Sequence, residues 1–516
     1  MVEILNIPWE EQLIKYGFFS EHIPPCFHTG ALYEHYKSLK TSAEKNKESE
    51  PLSITVAKSD SFRRTIKVPN PEQQMNLFEY IIENRTEIES FLSNNPNTLA
   101  NPIKYGDKGY DTIHLFDIPV LKDKKKIRST FIENLATKLK ISLGYKFVYK
   151  LDLSNFYDSI YTHSVEWAII GKEDAKENKK YKTKKNNLGE KLDYLVRNTN
   201  NNETSGIPTG PFTSRIISEM ILNKIDEELR SLKDTCDFDF VHFVDDYEFY
   251  FRSEADYKLL KNSIRMIFEK YRLKLNENKT YFMSYPYHHN IDLQEEFSHY
   301  IERYKNSKKN HDARLIFFKA DELTKSGEKG AYKYLYKQLE KVDLSHVWEE
   351  IEPFIIGHML VKPSLAQYII NLIVRHKDFV TNKLKEELKV NLRISVKDGL
   401  ESEAEWLFWV LNILKVKFSE EELVFLLQES EDDLLNIMLI DIACKTQTDS
   451  KVIHEWLNNT LEYLSNKSIR SEKWLIIYEW IFNKWPGYQE LEEKMEEAKY
   501  FKALRKRKIN FFHPIN

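Results

Sequence analysis

Two adjacent carboxylates, Asp245 and Asp246, lie within FVHFVDDYEFYF, an otherwise apolar and aromatic stretch at residues 240–251. Adjacent negative charges repel each other, and apolar neighbours provide little solvation for either of them. The alternation of apolar side chains around the pair predicts a β-hairpin with the two aspartates at its turn. Taken alone, such a pair is more often a solvated turn than a site for a cation.

A third carboxylate, Asp152, has a comparable setting in FVYKLDLSNFYDSIY at residues 147–161. The alternation from Phe147 to Leu153 predicts a buried strand that ends at Asp152. A carboxylate at the end of an apolar strand costs free energy unless a cation compensates its charge. Together with the aspartate pair, Asp152 could therefore complete a set of ligands for metal ions.

Phosphoryl transfer is the reaction that such a set of carboxylates would serve. Two divalent ions about 4 Å apart can activate an attacking hydroxyl and stabilise a triphosphate leaving group. Mg²⁺ prefers hard oxygen ligands and keeps several waters, so two or three carboxylates from neighbouring strands suffice. We therefore expect Mg²⁺, or Mn²⁺, at a catalytic site formed by Asp152, Asp245 and Asp246.

A glycine-containing stretch, TSGIPTGPFTSRIISEMILNKIDEEL at residues 204–229, lies between the two acidic stretches. Gly206, Pro208 and Gly210 predict a tight loop that leads into a long amphipathic helix. Because glycine has no Cβ, such a loop lets the backbone approach a nucleotide or base pair closely.

The elements that position these residues fall into three parts. Residues 1–110 mix short helical patterns with Pro, Asn and Ser breaks, which predicts an irregular N-terminal region. Residues 111–295 alternate short apolar strands with helical stretches, as in an α+β sheet domain. Residues 296–516 show apolar side chains at helical spacing, and Ser419 with Glu422 forms a capping box, so we expect an all-α array there.

The composition limits the class of protein. The chain has 516 residues, of which 41% are hydrophobic and 13% aromatic, so we expect a globular protein of two to four domains. A net charge of −4 argues against a general coat of nucleic acid. Three cysteines far apart indicate a reducing compartment, and no apolar run reaches the ~20 residues of a membrane helix. We expect a cytoplasmic protein with no membrane partner.

Three stretches in order, LDLSNFYDSIYTHS, SGIPTGPFTSRII and FVDDY, resemble motifs A, B and C of reverse transcriptases. The resemblance implies a fingers and palm domain over residues 111–295, to whose fingers residues 1–110 contribute. It makes Asp152 and Asp245 the principal metal ligands, together with the backbone carbonyl of Leu153. The enzyme would then be a nucleotidyltransferase of the RNA-directed DNA polymerase kind.

The same resemblance implies positions for the nucleotide. Tyr157 falls where reverse transcriptases place an aromatic ring under the sugar, which would exclude a 2′-hydroxyl and select dNTPs. Gly210 lies in the loop under the nascent pair. The stretch 118–132, IPVLKDKKKIRSTFI, resembles the fingers hairpin, in which Arg128 and Lys122 would contact triphosphate oxygens.

The stretch LKLNENKTYF at residues 273–282 resembles motif D, which would bring Lys279 near the phosphates. A solvated lysine on a strand is an equally good reading of this position.

Two departures from the usual reverse-transcriptase motifs indicate a particular group within that family. The loop reads Pro208-Thr209-Gly210 where most reverse transcriptases have Pro-Gln-Gly, and Arg215 replaces a proline. In this the chain is similar to the abortive-infection (Abi) reverse transcriptases of the AbiK-like kind. That similarity implies a HEAT-like helical domain over residues 296–516 in place of a thumb. It also implies a role in bacterial antiphage defence, in the bacterial cytoplasm, as a homo-oligomer that makes single-stranded DNA without a template, primed from and attached to protein.

A protein primer requires a side-chain hydroxyl that reaches the metal site. Tyrosine is the best donor because a phenol ionises more easily than an aliphatic hydroxyl. Tyr16, Tyr33 and Tyr36 in the N-terminal region are the candidates, although each is individually more often an ordinary packed aromatic.

Two alternatives remain open at this stage. One is an RNA-templated reverse transcriptase of the retron or intron kind, and the other is a non-catalytic nucleic-acid-binding scaffold. The altered loop weighs against the first, and the presence of all three aspartates weighs against the second. Primer extension with and without a template would separate them.

Overall fold

The computed structural model describes residues 9–39, 47–59, 62–93, 95–100, 131–181, 188–287, 293–328, 330–446, 450–496 and 498–514. Within these ranges most residues are helical, and the strands form two small antiparallel sheets.

The N-terminal part contains a β-hairpin flanked by helices. Its strands are β1, Leu52–Ser59, and β2, Phe62–Val68, and they pair antiparallel from Leu52 opposite Val68. A π-helical turn, Glu11–Tyr16, and three α-helices complete this part: α1, Gly30–Leu39; α2, Pro71–Glu83; and α3, Arg85–Ser93.

The sequence predicted an irregular N-terminal region, and this expectation was wrong for the described residues. The Pro and Asn breaks end short elements here. Asn70, for example, caps α2 by accepting a hydrogen bond from the Glu72 amide, and Pro71 occupies the first helical turn, where its missing N–H costs nothing.

The second sheet has four strands in the order β4-β5-β3-β6. They are β3, Phe147–Asp152; β4, Phe238–Phe243; β5, Asp246–Phe251; and β6, Tyr281–Ser284. Each neighbouring pair is antiparallel. The predicted strand ending at Asp152 and the predicted hairpin reversing at the aspartate pair are both confirmed.

Both faces of this sheet are covered by apolar side chains. On one face, residues such as Tyr149, Leu151 and Phe249 join the main hydrophobic core. On the other, Val148 and Tyr250 belong to a smaller cluster. Seven helices accompany the sheet: α4, Phe131–Ile141; α5, Phe156–Ser159; α6, Ser164–Ile170; α7, Lys172–Tyr181; α8, Leu188–Asn198; α9, Phe212–Ser231; and α10, Glu254–Lys270.

Every described element after residue 293 is helical, as predicted. The α-helices are α11, Leu293–Ser307; α12, Asn310–Lys325; α13, Ala331–Leu339; α14, Trp348–Val361; α15, Ala366–Arg375; α16, Asn382–Lys397; α17, Glu401–Ile413; α18, Glu420–Glu429; α19, Asp433–Thr446; α20, Lys451–Ser465; α21, Trp474–Phe482; α22, Gln489–Glu496; and α23, Lys499–Lys506. The capping box of Ser419 and Glu422 at the start of α18 is also confirmed.

These helices pack in two rows. One row is formed by α12, α14, α16, α18, α20 and α22, each of which contacts the next, and the other by α13, α15, α17, α19 and α21. Such stacking of alternate helices is the arrangement of an α-solenoid, in which each helical pair buries its apolar face on its neighbours. We call these two rows the helical stack.

The helical stack packs directly on the N-terminal hairpin. Arg63 of β2 forms a bidentate ion pair with Glu403 of α17, with a shortest N–O distance of 2.8 Å. The amide of Thr55 in β1 donates to the Glu401 carboxylate, and the Trp474 indole of α21 donates to the Val68 carbonyl. Residues more than 300 positions later in the chain therefore hold the hairpin in place.

Candidate active site

The three aspartates meet at one end of the four-stranded sheet. Asp152, the last residue of β3, lies opposite Asp246, the first residue of β5. Asp245 occupies the turn between β4 and β5, and its carbonyl accepts a hydrogen bond of 3.1 Å from the Leu153 amide. The sheet register thus brings together side chains about ninety residues apart in sequence.

The turn that presents Asp245 has an unusual backbone. Val244 has φ of +55°, in the left-handed region that β-branched residues rarely adopt. For an L-residue with a Cβ this conformation costs on the order of 1–2 kcal/mol. The surrounding structure must therefore hold the turn in place.

Asp152 is almost fully buried, and both of its oxygens have partners. Asn276 Nδ2 donates to Oδ1 over 2.8 Å, and Lys279 Nζ lies 3.0 Å from Oδ2. An antiparallel bridge between Leu153 and Leu275 brings this segment against the end of β3. Lys279, expected near the phosphates, therefore contacts a predicted metal ligand. Its hydrogen bond to Asp152 raises its pKa.

The other two carboxylates are adjacent in sequence, Asp245 half-buried and Asp246 more exposed, and their negative charges repel each other. Burial, with the charge of Asp152 adding to it, raises the pKa of Asp245. Burial and the charges of Asp245 and Asp152 raise the pKa of Asp246 to about 6, and Asp246 also shares a hydrogen bond with Asp152. Such a cluster favours a nearby cation, and the Lys279 ammonium already supplies one positive charge.

The donor set suits hard divalent ions such as Mg²⁺ or Mn²⁺, because it consists of carboxylate oxygens from neighbouring strands. In the part of the chain that the structure describes, no three His, Cys, Asp or Glu side chains already converge as metal ligands. The two oxygens of Asp152 contact Asn276 and Lys279 instead. The carboxylate oxygens fit such ions by their chemistry, and Lys279 contacts one oxygen of Asp152 in this conformation.

Tyr157 lies on α5, directly after the β3 strand. Its ring is half-buried, and its hydroxyl shares a hydrogen bond with Ser218 of α9. Burial raises the pKa of this hydroxyl, and the negative charge of Asp245 acts in the same direction. Tyr157 thus lies near Asp245, and its position under the sugar stays a prediction.

The glycine loop packs against the chain itself. Gly206 has φ of +84°, and a Cβ there would lie 3.1 Å from the Asp158 carbonyl. At Gly210, with φ of +126°, a Cβ would lie 3.4 Å from that of Ser20. The glycines were expected to admit a nucleotide, whereas in this conformation their close neighbours belong to the protein.

Two further contacts cover the same loop. The Thr209 carbonyl accepts a hydrogen bond of 2.8 Å from the Lys67 amide of β2, and the Phe212 amide donates to the Gly17 carbonyl over 2.8 Å. The loop is thus enclosed by the N-terminal segment and the hairpin.

The sequence reasoning missed the basic side chains of the β1–β2 hairpin. Burial raises the pKa of Asp245, but the positive charge of Lys58 opposes this effect, so Lys58 lies near the aspartates. Lys58 and Lys67 act in the same way on Asp158. Three basic residues in FRRTIKV at 62–68 indicated a basic strand, but Lys58 lies outside this stretch.

The residues expected to contact the triphosphate, Lys122 and Arg128, lie outside the described residues. The end of that stretch is described from Phe131, where α4 begins.

The three tyrosines considered as primers lie together in the N-terminal part. Tyr33 and Tyr36 stack with ring centroids 5.9 Å apart, and Lys15 lies over the rings of both Tyr16 and Tyr33. The Tyr16 hydroxyl donates to Glu11 over 3.1 Å. Burial raises the pKa of all three phenols, which disfavours their ionisation in this conformation.

Among the described residues, none of the helices has the length and apolar character needed to cross a membrane.

Comparison with protein families finds a reverse transcriptase (RNA-dependent DNA polymerase) domain at residues 108–329. This span contains Asp152, Asp245, Asp246 and the glycine loop. No curated protein sequence shows significant similarity to this chain.

Among solved structures, the chain is similar to telomerases. A C-terminally truncated apo telomerase from Candida tropicalis has a TM-score of 0.31 and 13% identity, over 50% of this chain and 54% of that chain. This chain thus spans about half the length of that protein. Telomerase from Candida albicans, in complex with a fragment of telomeric RNA, has a TM-score of 0.30 and 14% identity, over 73% and 70%. Apo telomerase from Candida tropicalis has a TM-score of 0.32 and 14% identity, over 82% and 72%.

Proposed function

Because residues 108–329 form a reverse-transcriptase domain, a nucleotidyltransferase of the RNA-directed DNA polymerase type, we propose that Asp152, Asp245 and Asp246 form its active site. The chain then adds deoxynucleotides to a growing DNA end. The observation that carries this proposal is the meeting of three carboxylates from two distant stretches at one end of a sheet.

When bound, two Mg²⁺ or Mn²⁺ ions would activate the attacking hydroxyl and stabilise the leaving pyrophosphate. Asp152 and Asp245 would hold the ions, with the Leu153 carbonyl as a further ligand and Asp246 beside them. Lys279 moves off Asp152 and keeps its positive charge beside the phosphates. The 3.0 Å contact of Lys279 with Asp152 supports this role.

The incoming dNTP lies between the hairpin and the sheet in this proposal. Tyr157 lies under its sugar and excludes a 2′-hydroxyl, while the Gly210 loop supports the base. Lys58 contacts the triphosphate oxygens, with Lys122 and Arg128 as further contacts. The charge of Lys58 beside Asp245 supports its role.

The finer part of the proposal is that synthesis needs no template and starts on a protein hydroxyl. The enclosure of the glycine loop by Gly17, Ser20 and Lys67 supports it, since a template base would compete for this space. The product is then single-stranded DNA attached to the protein. We further propose a HEAT-like helical stack in place of a thumb, a homo-oligomer, and a role in bacterial antiphage abortive infection.

The test incubates the purified chain with labelled dNTPs and Mg²⁺ or Mn²⁺, with and without an RNA template and DNA primer. Incorporation without added nucleic acid, appearing as a nuclease-sensitive increase in protein mass, supports template-independent protein priming. Incorporation that requires the primed template favours the second candidate, a templated reverse transcriptase, whose general class the domain at 108–329 already indicates. No incorporation under either condition would contradict the proposed activity.

The primer itself is tested by Phe substitutions of Tyr16, Tyr33 and Tyr36, singly and together. If one of them is the primer, the matching variants lose covalent DNA while still extending an added DNA primer. Covalent product that persists in the triple variant excludes all three residues.

A further inference from the structure

His242, three residues before Asp245, is buried at the end of β4. Its Nε2 lies 2.9 Å from Asp226 Oδ2, and its Nδ1 lies 3.1 Å from the Val244 carbonyl oxygen. Both ring nitrogens face oxygen atoms, an arrangement in which an imidazolium ring donates a hydrogen bond from each nitrogen. Burial lowers the pKa of His242, but the Asp226 carboxylate outweighs this effect and raises it to about 9.

Asp226, on helix α9, anchors this histidine. Its carboxylate also accepts hydrogen bonds from the Tyr247 hydroxyl over 3.0 Å and from Asn95 Nδ2 over 2.6 Å. Asp226, His242 and Tyr247 are all buried. The His242 and Tyr247 rings stack with centroids 4.6 Å apart, so residues from both strands of the hairpin meet on one carboxylate.

The Val244 carbonyl that His242 contacts belongs to the left-handed turn. A valine with φ of +55° persists only where its surroundings fix the backbone. Two consecutive carbonyls of the turn have partners. His242 contacts the Val244 carbonyl, and the Leu153 amide donates to the Asp245 carbonyl.

We propose that His242 is a positioning residue of the active site. Anchored on Asp226, its imidazolium holds the Val244 carbonyl and thereby the strained turn that presents Asp245. This role rests on the proposed function, because it matters only if Asp245 is a metal ligand. It extends that function because a buried ion pair, which does not contact the substrate, would set the geometry of the metal site.

The experiment measures Mn²⁺ affinity of the full chain by electron paramagnetic resonance, and kcat and KM for dNTP, in a His242→Gln variant. We expect Mn²⁺ affinity and kcat each to fall roughly 10- to 100-fold, as for other residues that orient metal ligands, while KM for dNTP changes little. A folded variant with wild-type Mn²⁺ affinity and kcat would overturn the proposal.

Loss of the histidine leaves the Asp226 charge buried, so a second variant combines His242→Leu with Asp226→Asn to remove both charges. This double variant also lacks the contact to Val244, so we expect the same losses of Mn²⁺ affinity and kcat. It takes the place of the single variant if that one does not fold. The matched control is His376→Leu in the helical stack. His376 is likewise buried, and its ring lies within hydrogen-bonding distance of the Leu344 amide and the Leu372 carbonyl. A similar loss of Mn²⁺ affinity in this control would overturn the proposal.

Repeating His242→Gln in the Val244→Gly background tests the strain directly. Glycine adopts a positive φ without penalty, so the histidine substitution should cost several-fold less Mn²⁺ affinity there. An equal cost in both backgrounds contradicts a role in holding the turn. If the wild type binds Mn²⁺ in a His242-dependent way but incorporates no nucleotide, the proposed function fails while the positioning role stands.

Discussion

Asp152 and Asp245 are predicted to share the metal ions, yet the protein holds them differently. Asp152 forms an ion pair with Lys279 and accepts a hydrogen bond from Asn276. Asp245 is a half-buried carboxylate whose pKa is raised by burial and by the charge of Asp152. Ionised Asp245 therefore destabilises the metal-free protein, whereas the Asp152 carboxylate has an ion pair and a hydrogen bond.

This contrast predicts different effects of two asparagine substitutions. Asp245→Asn and Asp152→Asn should each reduce nucleotide incorporation by roughly 10³-fold or more, since each removes a metal ligand. Without metal, Asp245→Asn should raise the melting temperature. Asp152→Asn should lower the free energy of unfolding by up to about 1 kcal/mol, because the Lys279 side chain of the lost ion pair is exposed to solvent. Calorimetry with a chelator measures both, and polymerisation by a folded Asp245→Asn protein would exclude the site.

Tyr157 is predicted to select the sugar by the size of its ring. Tyr157→Ala should reduce the preference for dNTP over NTP by roughly 10-fold or more, because the steric block is removed. Tyr157→Phe keeps the ring and loses only the hydrogen bond to Ser218, so it should retain the preference. Competition between dATP and ATP on one primer measures both variants, and equal discrimination in all three proteins would place the ring elsewhere.

At the scale of the elements, local patterns predicted the β3 strand and the β4–β5 hairpin correctly. Alternating burial is a property of a few neighbouring residues, so FVYKLD and FVHFVDDYEFYF contain the information needed. The position of Lys58 could not be read in this way. Its distance from Asp245 depends on how β1 packs against a sheet that begins about ninety residues later, which is a tertiary property.

The hairpin leads to a prediction for nucleotide binding. Lys58→Ala should raise KM for dNTP by roughly 10-fold, the scale of one charge-assisted hydrogen bond, with a smaller change in kcat. Lys58→Arg should retain most of the affinity. Lys417→Ala, at an exposed position of the helical stack, serves as the matched control. Steady-state kinetics with a primed substrate measures KM and kcat for each variant. An unchanged KM in Lys58→Ala would show that the hairpin does not contribute to nucleotide binding.

At the scale of the whole molecule, the period of the apolar residues predicted helices after residue 296 but not their packing partner. The stack contacts the N-terminal hairpin through Arg63 and Glu403, an ion pair 340 residues apart in sequence. Each of the two side chains alone is typical of a solvated surface. Nothing local to either residue indicates the other, which explains why the prediction stopped at separate regions.

A buried carboxylate on α21 binds the segment near residue 512 that pairs with the N-terminal part. Glu479 of α21 accepts hydrogen bonds from the amides of Phe511 and Phe512, and Phe512 forms a bridge with Phe27. Burial raises the pKa of Glu479 to about 7, and the nearby charge of Asp441 acts in the same direction. The neutral acid is thus favoured in the folded state.

Stability should therefore depend on pH through this residue. A raised pKa means that the contribution of Glu479 is fully present below about pH 4.5 and is lost as the pH rises through about 7. Between pH 5 and 8 the wild type should lose about 2–4 kcal/mol more than Glu479→Gln, which stays neutral and keeps an acceptor. Denaturant unfolding at several pH values measures this difference. The exposed Glu462→Gln should behave like the wild type, and parallel curves for wild type and Glu479→Gln would contradict the prediction.

The ion pair of Arg63 with Glu403 also has a consequence for synthesis of the protein on the ribosome. The hairpin emerges early, but its partner is translated 340 residues later. At a translation rate of roughly 5–20 residues per second, the apolar face of the hairpin stays uncovered for on the order of 20–70 seconds, until the helices that pack on it are synthesised. We therefore expect the proposed nucleotide site to be completed only after α17 is translated, and nascent chains to engage chaperones during this interval.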